Sequence, residues 1–200
     1  MTAVGKHLDN GAFPRIWERA LPYLQTRHNE AHTCISRGFA EGLLAAVGGD
    51  PDVVIPAIML HDIGWSQVPE EEQLLAFGPN VKNPELTKVH ERAGAAMAEA
   101  ILRDLRWPEE AVGRIVHIIA GHDTRVGSGS LEESVVRDAD KLFRVSGEGL
   151  RIDCTRFRLD PADYLDVLES KVGEWFFTET GERLAREELA ARRQEIRGGR

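Results

Sequence analysis

The chain has only two cysteines in 200 residues, Cys34 and Cys154. That is too few for a disulfide framework or a cysteine-rich zinc module, and the expected setting is reducing and cytoplasmic. No apolar run approaches the roughly 18–20 residues that a membrane span needs, so no spanning helix is expected. Residues 1–10 lack an apolar core segment, so a secretory signal is not expected there either. Positive charge is in deficit: 25 Lys and Arg face 33 Asp and Glu, a formal net charge of −8. Such a field repels phosphate backbones and argues against general nucleic-acid binding. A small phosphorylated substrate is still compatible, because bound divalent metals supply local positive charge. Strand-like runs joined by hairpin turns are also scarce.

What is present is an ordinary globular composition, 42% hydrophobic and 29% charged. The pattern reads as helix after helix. Helices are expected over 14–24 (with Pro22 able to kink or end it), 29–47 (with Asn29 as cap), 52–61, 69–77, 83–106, from Pro108 onward through the Ile-rich stretch, 131–146, from Asp160 onward, and 182–197. The 52–61 segment is strand-like in composition, but Pro56 in its middle argues for a buried helix. The last segment, rich in Ala, Glu and Arg, is expected to be a solvated helix with paired charges. The fold class is therefore all-α. No linker is long enough to divide the chain, so one domain is expected over 1–200, with 147–200 as its helical extension.

The chemistry concentrates in the histidines. Of seven, only His61 is followed by an aspartate inside an apolar helix, in Leu60-His61-Asp62-Ile63-Gly64. A buried carboxylate at that place pays several kcal/mol in desolvation unless something neutralises it. A divalent cation does so, with imidazole and carboxylate as matched ligands. Gly64 is expected to let the chain turn away sharply. His32, His90, His122 and Asp140 each fall on a different predicted helix beside small or apolar neighbours. Helices can aim such residues at a common centre. The six N and O donors suit two metals bridged by a carboxylate. Asp62 is the expected bridge, with His32, His61 and Asp140 on one metal and His90 and His122 on the other.

Other candidates are weaker. His117 lies five residues before His122, about 140° away on a helix, and faces elsewhere. His28 and His32 have the spacing of a zinc-protease pair, but Asn29 stands where that motif needs Glu. His7 is expected in an exposed arm. Cys34 and Asp138 fall off the ligand face, and Asp138 is expected to pair with Arg137, Lys141 or solvent. The arginines toward the C-terminus, Arg200 among them, are balanced by glutamates.

The order His32 … His61-Asp62 … His90 … His122 … Asp140, with Ala139-Asp140-Lys141-Leu142, resembles the HD-domain superfamily of metal-dependent phosphohydrolases. The resemblance spans about 29–146. It includes His90-x-x-Ala93-Gly94-Ala95 and Ile118-Ile119-Ala120-Gly121-His122. It implies an all-α HD-type bundle and divalent metals, two per chain, with iron, manganese, magnesium, zinc, cobalt and nickel all compatible. It also implies hydrolysis of a phosphate ester by a metal-activated water, on a nucleotide or a small organophosphate.

The departures narrow the subfamily. Cyclic-dinucleotide phosphodiesterases carry Lys where Trp65 stands and a Gly-Tyr-Pro signature where this chain reads His122-Asp123-Thr124-Arg125. Alarmone hydrolases carry a Glu-Asp pair where Trp65-Ser66 stands. A two-iron branch with the same ligand pattern oxidises organic substrates with dioxygen, and a non-catalytic metal-stabilised binding module is a third reading. Within the hydrolytic reading, Asp62 and Lys141 are the catalytic candidates. Lys141 and Arg125 are candidate phosphate cations, Trp65 walls the pocket or stacks on a base, and Asp123 orients water or a ligand histidine.

Overall fold

The computed structural model describes residues 11–78 and 81–198. His7, the reading of residues 1–10 and Arg200 lie outside them. Among the described residues there are ten α-helices and no strand, as expected for an all-α chain. They are α1 (Ala12–Ala20), α2 (Asn29–Val47), α3 (Pro51–Leu60), α4 (Glu70–Gln73), α5 (Glu85–Asp104), α6 (Glu109–Ile119), α7 (Leu131–Val145), α8 (Gly147–Phe157), α9 (Pro161–Trp175) and α10 (Glu179–Gly198). No helix among the described residues is long and apolar enough to cross a membrane.

The helix α3 is the axis of the bundle, packed by α1, α2, α6 and α7. Every residue from Val53 to Leu60 is buried. Pro51 opens it, and the Asp50 side chain accepts from Asp52 N at 3.0 Å. Pro56 sits inside and cannot donate to the carbonyl of Asp52. That carbonyl instead accepts the indole N–H of Trp107 at 3.0 Å. The proline is thus tolerated because a tryptophan from the loop before α6 takes over the released acceptor.

Several boundaries differ from expectation. The first helix ends at Ala20, and Pro22 falls in a 3-10 turn, Leu21–Tyr23. Asn29 is no cap. His28 precedes α2 in a left-handed conformation, and Asn29 is the buried first residue of the helix. The 69–77 helix shrinks to the single turn α4, pinned by Gln73, whose amide donates to the carbonyls of Trp65 (3.0 Å) and Val68 (2.9 Å). The helix α8 has no apolar stripe to announce it. Ser146 caps it, accepting from Gly149 N at 3.1 Å, and a Cβ on Gly149 would meet the Phe143 carbonyl.

The terminal helix carries the expected i,i+4 pairs, Arg183–Glu187, Arg186–Glu182 and Arg192–Glu188. It is not solvated all round: Gly181, Ala185 and Leu189 are buried where it packs on α7 and α9. Asp138 is also corrected. Buried on α7, it accepts from Phe177 N (2.8 Å), Thr178 N (3.0 Å) and Thr178 Oγ1 (2.6 Å), and so fixes the entry to α10.

Candidate metal centre

Donors converge from five stretches of chain. His32 comes from α2, His61 and Asp62 from the end of α3, and His90 from α5. His122 and Asp123 come from the turn after α6, and Asp140 from α7. His122 was expected on a helix, but α6 stops at Ile119. The described residues form three overlapping groups able to hold an ion: His32, His61 and Asp140; His61, Asp62 and His122; His90, His122 and Asp123.

Asp62 lies between them. Its Oδ2 is 3.6 Å from His32 Nε2. Its Oδ1 is 3.6 Å from His90 Nε2 and 3.7 Å from those of His61 and His122. Asp140 Oδ1 stands 3.2 Å from His32 Nε2 and 3.7 Å from His61 Nε2. Asp123 Oδ2 stands 3.7 Å from both His90 and His122. Asp123, expected only to orient its neighbours, is thus placed as a donor of the second group. His117, by contrast, is not among these donors.

The local chain explains the aim of the rings. His61 Nδ1 pairs with the Ile58 carbonyl, and His122 Nδ1 with the Ile119 carbonyl, each at 2.8 Å and three residues back. Both rings therefore turn Nε2 into the cluster. The turn bearing His122 and Asp123 is held by Glu91, which accepts from Asp123 N and Thr124 N at 2.9 Å and from Thr124 Oγ1 at 2.6 Å. Sequence reasoning missed Glu91, whose signal was its place next to His90. Gly64 lies in the 3-10 turn Ile63–Gln67 that follows α3, without a left-handed backbone. Its role is close approach: a Cβ there would overlap the His90 carbonyl and Gly94 N of α5.

Trp65 is buried and lies parallel to the His90 ring, with centroids 4.0 Å apart. Its indole N–H donates to Asp62 Oδ1 at 3.1 Å. The Arg27 guanidinium also lies 4.0 Å from the Trp65 ring. Trp65 therefore walls the pocket, and neighbours already contact it on its rings. Lys141 Nζ donates to Asp123 Oδ1 (2.8 Å) and Asp140 Oδ2 (2.7 Å), tying the two donor groups together. Arg125 is corrected: it pairs with Glu133 and donates to the His117 carbonyl at 2.7 Å, and it does not line the pocket.

Electrostatics fit this picture. Burial disfavours both carboxylates, but His61, His122, His32 and Arg27 outweigh it at Asp62, and Lys141, His32 and His61 outweigh it at Asp140, holding both well below the usual carboxylate range. Burial also disfavours a charged His122, yet Asp123 and Asp62 hold its pKa up at about 9. His90, buried beside His122, falls to about 3. Imidazole nitrogens and ionised carboxylates facing one another at this range are a donor set suited to a divalent metal.

Beside the donors is a cavity of about 40 Å³, with Phe143, Arg27, Asn29, Arg144 and Arg156 in its wall. Asp153 of α8 binds Arg144 and Arg156, each at 3.2 Å, and takes the Tyr164 hydroxyl at 2.9 Å. None of these was singled out from the sequence as a site residue. Arg144 had a signal, since it lies one helical turn beyond Asp140; Asp153 had none.

Comparison with curated proteins and with solved structures gives no match. The HD domain family model matches residues 29–144, more than half of the chain. That stretch contains all seven donors, and the family consists largely of metal-dependent phosphohydrolases. The chain belongs to the HD domain family.

Proposed function

We propose that the protein is a metal-dependent phosphohydrolase that cleaves a small phosphate ester, a nucleotide or an organophosphate, with two divalent ions per chain. The observation that carries this reading is Asp62, whose two oxygens reach donors of both groups, Oδ2 facing His32 and Oδ1 facing His61, His90 and His122. A carboxylate so divided is suited to bridge two ions.

His32, His61 and Asp140 would hold one ion, and His90, His122 and Asp123 the other, with Asp62 shared. Ions bound there supply Lewis acidity and a water acidified toward neutral pH. The chain's own groups do the rest. Lys141 has three N–H donors and spends two on Asp123 and Asp140. It keeps those carboxylates in place and has one donor left for a phosphoryl oxygen. Trp65 fixes the Asp62 oxygen it binds and, with Phe143, keeps bulk water from the cluster. Phe143 meets His32 edge-on at 4.4 Å. Charge interactions inside such a dry wall are stronger than in water.

The test is elemental analysis of protein purified without added metal or a histidine tag, followed by phosphate release from nucleotides and phosphomonoesters with each metal restored. Metal-dependent release supports the reading. Two irons per chain with oxygen uptake and no phosphate release would overturn it in favour of the oxygenase chemistry.

A further inference from the structure

Arg27 is the one arginine of the inner wall whose charge is not tied to Asp153. Arg144 and Arg156 both donate to that carboxylate. Arg27 Nε and Nη1 are buried and have no hydrogen-bond partner among the described residues. Its guanidinium lies 4.0 Å from the Trp65 ring and 4.0 Å from the Phe77 ring. Stacking of this kind satisfies the faces of a guanidinium and leaves its N–H edge unspent. Burial lowers its pKa, to about 10, so it stays charged at neutral pH.

The setting is built, not incidental. Arg27 and His28 both hold left-handed backbone, with φ of 57° and 59°, which costs each about 1–3 kcal/mol. The Arg27 carbonyl is anchored by Arg156 Nη2 from α8. Next to it Asn29, 2% exposed, also turns a side-chain amide with no partner into the same wall. Buried donors left without acceptors are costly, so the missing partner is an acceptor.

We infer that Arg27 and Asn29 form an oxyanion-binding subsite next to the metal donors, one that grips the phosphoryl group of the substrate. The phosphoryl identity rests on the phosphohydrolase reading, whereas the oxyanion site does not. The inner wall sets three arginines against four aspartates, so divalent ions on the aspartates leave it net positive and receptive to an anion. The inner cavity, about 40 Å³, has room for one small group. Arg27 and Arg156 also border an outer groove of about 840 Å³, walled by Leu24, Ile152 and Leu74. The rest of the substrate lies there, on the far side of the two arginines.

The experiment is calorimetric titration of orthophosphate, and separately of acetate, into the metal-loaded protein. Wild type is expected to bind phosphate. Arg27→Gln is expected to weaken it by about tenfold to a hundredfold, with metal content and helical circular dichroism unchanged. Arg27→Lys, which keeps the charge and loses the fork, is expected to recover part of the loss. Asn29→Ala removes the second donor without disturbing the Trp65–Phe77 stack and is expected to weaken binding more modestly. Phosphate binding of wild-type strength in both Arg27→Gln and Asn29→Ala overturns the subsite, as does failure of wild type to bind either anion. Acetate binding as tight as phosphate supports the oxyanion site with a carboxylate as its ligand. Arg27-dependent phosphate binding without turnover of any ester keeps the subsite and removes the phosphohydrolase reading.

Discussion

The Nε2 atoms of His32 and His61 face each other at 2.9 Å. Burial opposes charge on both rings. At His61 the carboxylates of Asp62 and Asp140 outweigh it and raise the pKa, while at His32 burial prevails and lowers it. His122, at about 9, and His90, at about 3, repeat the arrangement with Nε2 atoms 3.4 Å apart. In each pair the two rings are thus pushed in opposite directions, one toward keeping its proton and the other toward losing it.

Metal binding at pH 7 is therefore expected to release about one proton from the His90–His122 pair, because the ligand nitrogens must be neutral and His122, at about 9, is charged there. The sign follows from the raised pKa values: protons compete below them, so apparent affinity rises with pH and levels off above about 9. Calorimetry in two buffers of different ionisation enthalpy measures the release. Binding without proton uptake by the buffer would contradict the pairing.

Asp62→Asn is expected to remove metal from both groups of donors, since both use its oxygens. Asp140→Asn is expected to lower occupancy of the first group only, and Asp123→Asn of the second. Metal content per chain distinguishes the three. Full occupancy in Asp123→Asn would return that residue to an orienting role.

Trp65→Phe keeps an aromatic ring beside His90 and loses the hydrogen bond to Asp62. Loss of such a supporting bond typically costs about tenfold to a hundredfold in metal affinity. A metal titration followed by competition with a chelator reads it. Unchanged affinity would make Trp65 a packing residue alone.

Much of this was legible in the sequence, for physical reasons. The apolar run from Val53 to Leu60 and the His-Asp pair at its end announce a buried helix that must neutralise a charge. His32, His90 and Asp140 follow from their places beside small or apolar residues on successive helices, and His122 stands in the turn just past α6. What was hidden is the part set by long-range contact. Asp123 looks like a neighbour of a ligand until the Glu91 clamp turns it inward. Arg125 looks like a cation beside the site until Glu133 and the His117 carbonyl take it away. Asp138 shows no partner until α10 arrives forty residues later, and α8 is held by a cap and a glycine contact in place of an apolar stripe.

Gly64→Ala is expected to be severely destabilising. The new Cβ would fall inside the van der Waals envelope of the His90 carbonyl and Gly94, which are backbone and cannot swing aside. Urea denaturation should show a loss of several kcal/mol or no folded protein, beyond the usual range for a single substitution. A near-neutral result would mean that α5 shifts freely against the turn after α3.

Asp138→Ala is expected to cost about 2 kcal/mol or more, because it orphans three donors at the start of α10. Urea unfolding checks the size. The donors on the opposite side of α7 should keep their metal, so intact metal content separates this loss from damage to the centre.

The family match ends at residue 144, yet Asp153 and Arg156 stand in the wall of the inner cavity. The candidate metal centre and part of the wall beside it are thus written in separate stretches of chain. Grafting a different α8 onto the same bundle would exchange the lock while leaving the bolt in place. Diversity of substrate among chains built this way needs no change in any of the seven donors.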